Sequence, residues 1–217
     1  LRIRHRMALP AGLTAGGHVR SGTRVINTIE SRVRLCKGAP WVEIETVVVN
    51  RARDHRLRAL FPSGVRADHA TAGGQFDVPA RPLRMPDTSG WVEHDTGARP
   101  MQGFVDISDR RGGLAVLAEG LPEYAVSDRP QGTIALTLLR CVGTLHRTGL
   151  RTRRDPPGPG LSIPTPDAQC PGRNSFRYAL LPHAGSARSA AVPMLAEMFH
   201  VPLRAFQAPS AGPAADA

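Results

Sequence analysis

The stretch WVEIETVVVNRARDHRLRALF, residues 41–61, decides how this chain is read. Val42, Ile44, Thr46 and Val48 alternate with Glu43, Glu45, Val47 and Val49, the period of two of a long strand with one face buried and the other partly wet. Arg51 to His55 interrupts the apolar run, Leu57, Ala59 and Phe61 resume it, and Pro62 stops it. The stretch predicts two strands joined by a charged turn. It holds no catalytic motif, so function has to follow from what such a sheet supports.

Upstream, residues 23–35 alternate as cleanly. Val25, Asn27, Ile29, Ser31, Val33 and Leu35 share one face, and Arg24, Thr28, Glu30, Arg32 and Arg34 share the other, as in a half-solvated antiparallel strand. The turn Lys37-Gly38-Ala39-Pro40 makes a hairpin of this strand and the one from Trp41. Downstream, GFVDIS at 103–108 and GLAVLA at 113–118 flank a four-residue turn and predict a second hairpin. Further strands are expected at 75–78, 124–127, 133–142 and 174–181. Residues 186–200 are the one helical candidate, which Pro193 would kink or split. Residues 1–22 read as an irregular lead-in, 23–206 as the domain and 207–217 as a disordered tail. Residues 150–172, dominated by Pro, Gly and Arg, read as a disordered or functional loop.

With 217 residues, 20 prolines and 22 glycines, the chain suits one mainly-β domain of short strands and turns. A net charge of +10 raises nucleic acid as a partner. Against it, Lys37 is the only lysine, the arginines are scattered, and no aromatic residues interleave with them to stack bases; no nucleic-acid partner is expected. Cys36, Cys141 and Cys170 fit neither a disulfide framework nor zinc spacing and suggest a reducing compartment. No apolar run nears the ~20 residues that cross a bilayer, and LRIRHRMALP lacks a signal-peptide core. No membrane partner and a cytoplasmic, bacterial location are expected. The chain starts at Leu1 rather than Met, which suggests a piece of something longer.

The residues advertise little chemistry. Asp106 with Asp109, Glu119 with Glu123, and Glu93 with Asp95 are candidate acid–base pairs, but carboxylates at strand ends and turns more often cap backbone amides or face water. His55 follows Asp54, and a carboxylate can fix a histidine tautomer; adjacent strand residues point to opposite faces, however, so a structural turn is the expected reading. The eight histidines never fall at HxH, HxxH or HxxxH spacing, so no metal site is read from the sequence.

Six ordered segments carry a resemblance: NRARDHRLRALFP (50–62), FVDISD (104–109), GLAVLAEGLPEY (113–124), TIALTLLRCVG (133–143), TPDAQCPG (165–172) and FRYALLPHAG (176–185). Together they resemble the C-terminal region of bacterial α-mannosidases of glycoside hydrolase family 38, the type that includes mannosylglycerate hydrolases. The resemblance covers most of residues 23–206. It implies a twisted antiparallel β-sandwich, the galactose mutarotase-like supersandwich that follows the catalytic barrel and helical domain, with one short helix near the C-terminus. In that family a retaining mechanism uses an aspartate nucleophile that also helps bind zinc, and those residues lie in the N-terminal catalytic domain. None has a counterpart here. The resemblance therefore implies no cofactor in this chain, zinc in the parent's catalytic domain, and that domain and a mannoside substrate as partners.

The chain departs from the family pattern where Ala125 follows Tyr124 in place of a frequent acidic residue, and again after Phe206, where further strands give way to an Ala- and Pro-rich tail. A sandwich cut in this way would leave edges and apolar faces open to homo-oligomerisation. Should any side chains approach the sugar, Asp54, His55, Arg56, Glu123 and Tyr124 at the charged turns are the candidates. Two other readings compete with the accessory sandwich of a glycosidase. One is a free-standing carbohydrate-binding module, which would bind mannosides by itself; the other is a basic nucleic-acid-binding protein, whose binding would fall steeply with salt.

Overall fold

The computed structural model describes residues 1–127, 132–147, 150, 152, 162–201, 203 and 205–207. In chain order these form strands β1 (Arg2–Pro10), β2 (Arg24–Leu35), β3 (Val42–Asn50), β4 (Arg56–Pro62), β5 (His69–Ala72), β6 (Ala80–Pro82), β7 (Arg99–Pro100), β8 (Phe104–Ser108), β9 (Gly112–Ala118), β10 (Glu123–Ser127), β11 (Thr133–Arg140) and β12 (Gly172–Ala184), then helix α1 (Val192–His200). The fold is an antiparallel β-sandwich. Its eight-stranded sheet runs β1-β2-β3-β12-β9-β8-β5-β6, and its four-stranded sheet runs β4-β11-β10-β7.

Alternation along the strands builds the core between the sheets. Ile44, Val105, Ile107, Val116 and Tyr178 of the large sheet meet Tyr124, Ile134, Leu136 and Leu138 of the small one. Phe61 tilts against Tyr178 at 5.8 Å between ring centroids, in the range where aromatic pairs attract. The two halves of the 41–61 stretch part company here. β3 and β4 do not pair; Arg51 to His55 carries the chain from one sheet to the other.

The large sheet also buries part of its outer face. Phe104, Ala115, Leu117, Ala179 and Leu181 receive Val192, Ala196 and Phe199 of α1. Trp41 meets Phe199 edge-on at 5.7 Å, and the Arg177 guanidinium stands 4.0 Å over the same ring. Pro193 starts this helix instead of kinking it, because the first turn has no need of its N–H.

Both predicted hairpins are present, β2 with β3 and β8 with β9. Within residues 1–22 the segment Arg2–Pro10 is not irregular, since it pairs with β2 along its whole length, whereas residues 11–22 do run without a strand. The Arg-rich sequence of β1 hides the alternation that hydrophobicity would reveal, since most of the strand is exposed. Residues 75–78 form no strand, and the strand lies earlier, at His69–Ala72. Gly73 ends it where a Cβ would collide with the Gln102 carbonyl, so only glycine allows the chain that close. Of residues 150–172, 151 and 153–161 lie outside the described residues; Pro166–Gln169 is a single 3-10 turn. The tail at 208–217 also lies outside them.

Candidate functional site

The polar chemistry gathers at three places. The first is the crossover between the sheets. Asn50, at the end of β3, is 1% exposed, and so is Asn27 on the buried face of β2. Asn27 Nδ2 donates to Asn50 Oδ1 (2.8 Å), and Asn50 Nδ2 donates to the carbonyls of Gln169 and Cys170, both at 3.0 Å. Asn27 Oδ1 accepts the N–H groups of Arg51 and Ala52 (2.9 and 3.2 Å). The two amides thus satisfy backbone that leaves the sheet and would otherwise be stranded in a dry interior.

Asp54 adopts a left-handed conformation there (φ 54°), and its backbone N–H donates to Gln169 Oε1 at 2.8 Å. Its carboxylate accepts Gln169 Nε2 at 2.7 Å and the Leu13 N–H at 3.2 Å. Asp54 does bond amides, but they come from segments 41 and 115 residues away rather than from its own turn. His55 lies half-buried with Nε2 3.9 Å from Cys141 Sγ, and burial pushes its imidazole below the ordinary histidine value. Burial also pushes the Cys141 thiol up to about 11.

The second cluster lies on the outer face of the small sheet. Glu123 accepts Thr137 Oγ1 at 2.7 Å and stands 3.6 Å from nitrogens of both Arg56 and Arg58. Partial burial lowers the pKa of Arg56; Glu123 works in the opposite direction, and Arg58 and Arg140 reinforce the lowering. Of the five sequence candidates, the structure brings Arg56 and Glu123 together here. Asp54 and His55 belong to the crossover. Tyr124, next to Glu123, turns into the core at 1% exposure, where its hydroxyl accepts Arg81 Nη1 at 3.3 Å.

The third is a buried pair behind β8. Asp106 is fully buried, His183 Nε2 donates to its Oδ1 at 2.7 Å, and Ser108 Oγ donates to its Oδ2 at 2.6 Å. The serine bonds the carboxylate and not the imidazole, so the trio lacks the serine-to-base contact that activates a nucleophile. Burial raises the pKa of Asp106, while both hydrogen bonds favour its charged form. Sequence reading did not foresee this pair, whose partners lie 77 residues apart.

The remaining carboxylates are occupied structurally. Asp109 accepts the Arg111 and Gly112 N–H groups in its turn, Glu119 pairs with Arg177 at 2.9 Å, and Asp95 grips Arg99 through two bonds of 2.7 and 2.5 Å. Among the described residues no three His, Cys, Asp or Glu side chains group as metal ligands. No helix among them is long and apolar enough to cross a membrane.

An antiparallel sandwich whose polar groups are engaged mainly at its crossovers and turns has the make-up of a β-sandwich module. The family described as the glycosyl hydrolases family 38 C-terminal domain matches residues 16–144, more than half the chain, and the chain belongs to that family. It is 35% identical over 174 residues to a candidate mannosylglycerate hydrolase of Halalkalibacterium halodurans, covering 80% of this chain and 17% of that protein. It is 31% identical over 186 residues to alpha-mannosidase 2C1 of Homo sapiens, covering 86% and 15%. The crystal structure of an alpha-mannosidase from Enterococcus faecalis superposes with a TM-score of 0.78 at 29% identity, over 93% of this chain and 22% of that one. The chain therefore spans less than a fifth of the length of these curated relatives.

Proposed function

We propose that this chain is the accessory sandwich of an α-mannosidase-like glycoside hydrolase, acting on α-mannosides through a catalytic domain that it supports structurally. The observation that carries this reading is the share of each protein that aligns: most of this chain, but only 15–17% of the relatives named for mannoside hydrolysis. A zinc ion and the nucleophile belong, in this reading, to the larger remainder. The chain by itself then neither hydrolyses nor measurably binds mannosides. In this reading Arg56 and Glu123, on the outer face of the small sheet, contribute to the rim of a neighbouring domain, and Asp54, His55 and Tyr124 hold the fold.

The test compares the purified 217-residue chain with the whole polypeptide that carries it. Hydrolysis of p-nitrophenyl α-mannoside by the whole polypeptide, its loss when this region is removed, and no mannoside binding by the chain alone are expected. Calorimetric binding of methyl α-mannoside by the isolated chain would overturn the reading in favour of a free-standing binding module.

A further inference from the structure

Helix α1 covers the outer face of the large sheet over β12, β9 and β8, and among the described residues no further element covers the same face over β1, β2 and β3. That part is a concave space of about 1140 Å³. The strand registers arrange its side chains in cross-strand rows, of which one reads Arg6, Thr28, Val49, Arg173 and the next Arg4, Glu30, Val47, Ser175. Six arginines and three glutamates line the space, so positive charge is in excess there.

We infer that this face seats an acidic segment of polypeptide from outside residues 1–217, contributed by the rest of the parent protein. Two independent observations point to an occupant. The first is the floor. β3 keeps its alternation along its length, but its outward positions change from Glu43 and Glu45 to Val47 and Val49, an apolar end to the partly wet face. Thr46 and Val48 face the sandwich core; Val47 and Val49 face the concavity, half-buried, with no described element over them.

The second is the charge. Glu30 already serves Arg2 and Arg4 at 2.7 and 3.0 Å, and Arg177 is held by Glu43 and Glu119 at 2.8 and 2.9 Å. Arg6 and Arg173 are exposed and have no carboxylate among the described residues, although they close the two ends of one row. Three strand spacings separate them, about 14 Å at ~4.8 Å each. A single phosphate or carboxylate is much smaller than that gap; an extended chain with several acidic side chains spans it and brings apolar atoms to the valine floor. Arginine suits such a surface because its planar fork holds carboxylates through paired bonds.

The inference rests on the accessory-domain reading, and the experiment separates the two. In the whole polypeptide, a photoreactive p-benzoylphenylalanine replaces Val47, and in a second sample Leu60 on the outer face of the small sheet. The expected crosslink from position 47 maps to an Asp/Glu-rich segment outside residues 1–217. A crosslink from position 47 to this chain's own residues, or none, overturns the inference whatever position 60 reports; mannosidase activity of the same sample shows separately whether the accessory reading stands. In parallel, a fluorescein-labelled decaglutamate peptide is titrated against the isolated chain. Arg6→Gln with Arg173→Gln, both at exposed positions, should weaken binding at least tenfold and flatten its salt dependence. Equal affinity in the double variant, or full competition by millimolar inorganic phosphate, would sink the proposal, the latter marking a small-anion surface instead.

Discussion

Replacing Asn50 by alanine should be among the most damaging single changes outside the apolar core. The substitution removes a side chain that is 1% exposed and holds the backbone at the point where the chain leaves the large sheet for the small one. Cys170 O keeps a bond from Asn174 Nδ2 (3.1 Å), and the Ala52 N–H keeps Asn27 Oδ1 (3.2 Å). Asn27 Nδ2 and Gln169 O lose the partners that hold them. At about 1–3 kcal/mol for each buried group left unpaired, the loss is about 2–6 kcal/mol. Urea unfolding followed by tryptophan fluorescence reports it, since Trp41 packs on Phe199. With an m-value of about 2 kcal/mol/M, the midpoint should fall by about 1–3 M. Asn50→Asp should fall comparably, because it keeps the acceptor for Asn27 but sets a carboxylate against two carbonyl oxygens. A midpoint shift below about 0.3 M for Asn50→Ala would refute the account, showing that water or a small backbone movement satisfies the stranded groups.

Three further outcomes are expected. Gly113→Ala would press a Cβ into Ser108 Cβ and bring it to 2.7 Å from Ile107 O and 2.8 Å from His183 Cε1, so it should cost about 1–3 kcal/mol in a thermal melt and disturb the Asp106–His183 bond; an unchanged Tm would contradict the close approach. With Ellman's reagent at pH 8, Cys36, which is exposed, should react in the native chain while Cys141, its thiol pushed up to about 11, stays silent until denaturant is added. The hydrogen bond from Arg2, opposed by desolvation and supported by Arg4, lowers the Glu30 carboxyl from 4.5 to about 2. A depressed carboxyl stabilises the fold above its unfolded value and loses that contribution as pH falls from about 4.5 toward 2, so Tm should drop more steeply over that window in the native chain than in Glu30→Gln. Because Glu30 is only half-buried and its partner Arg2 is exposed, 0.5 M NaCl should shrink the difference; equal slopes at low salt would show that β1 gains nothing from the pair.

Much of this architecture was legible in the chain. Period-two patterning at 23–35, 42–50 and 104–118 located strands and both hairpins, because an antiparallel sheet with one dry face imposes that alternation locally. β1 escaped notice for the same reason. An exposed edge strand needs no apolar face, and Arg2, Arg4 and Arg6 are the charges that keep such an edge from pairing indiscriminately. Asn27 stood in the apolar row of its strand, the signal of a polar group that must find buried partners, but nothing local named Asn50 and Gln169 as those partners.

Sequence alone determined the fold class, the family and the lack of any local metal or nucleophile motif, since each depends on neighbouring residues or on ordered segments. Only the tertiary structure decided that β3 and β4 part into different sheets, that Tyr124 is core while Glu123 faces out, and that Asp106 meets His183. It also decided that Arg6 and Arg173 share a row. Each of these is set by strand order and register, which bring together residues 77 or more positions apart and which hydrophobic periodicity, blind beyond a few residues, does not encode.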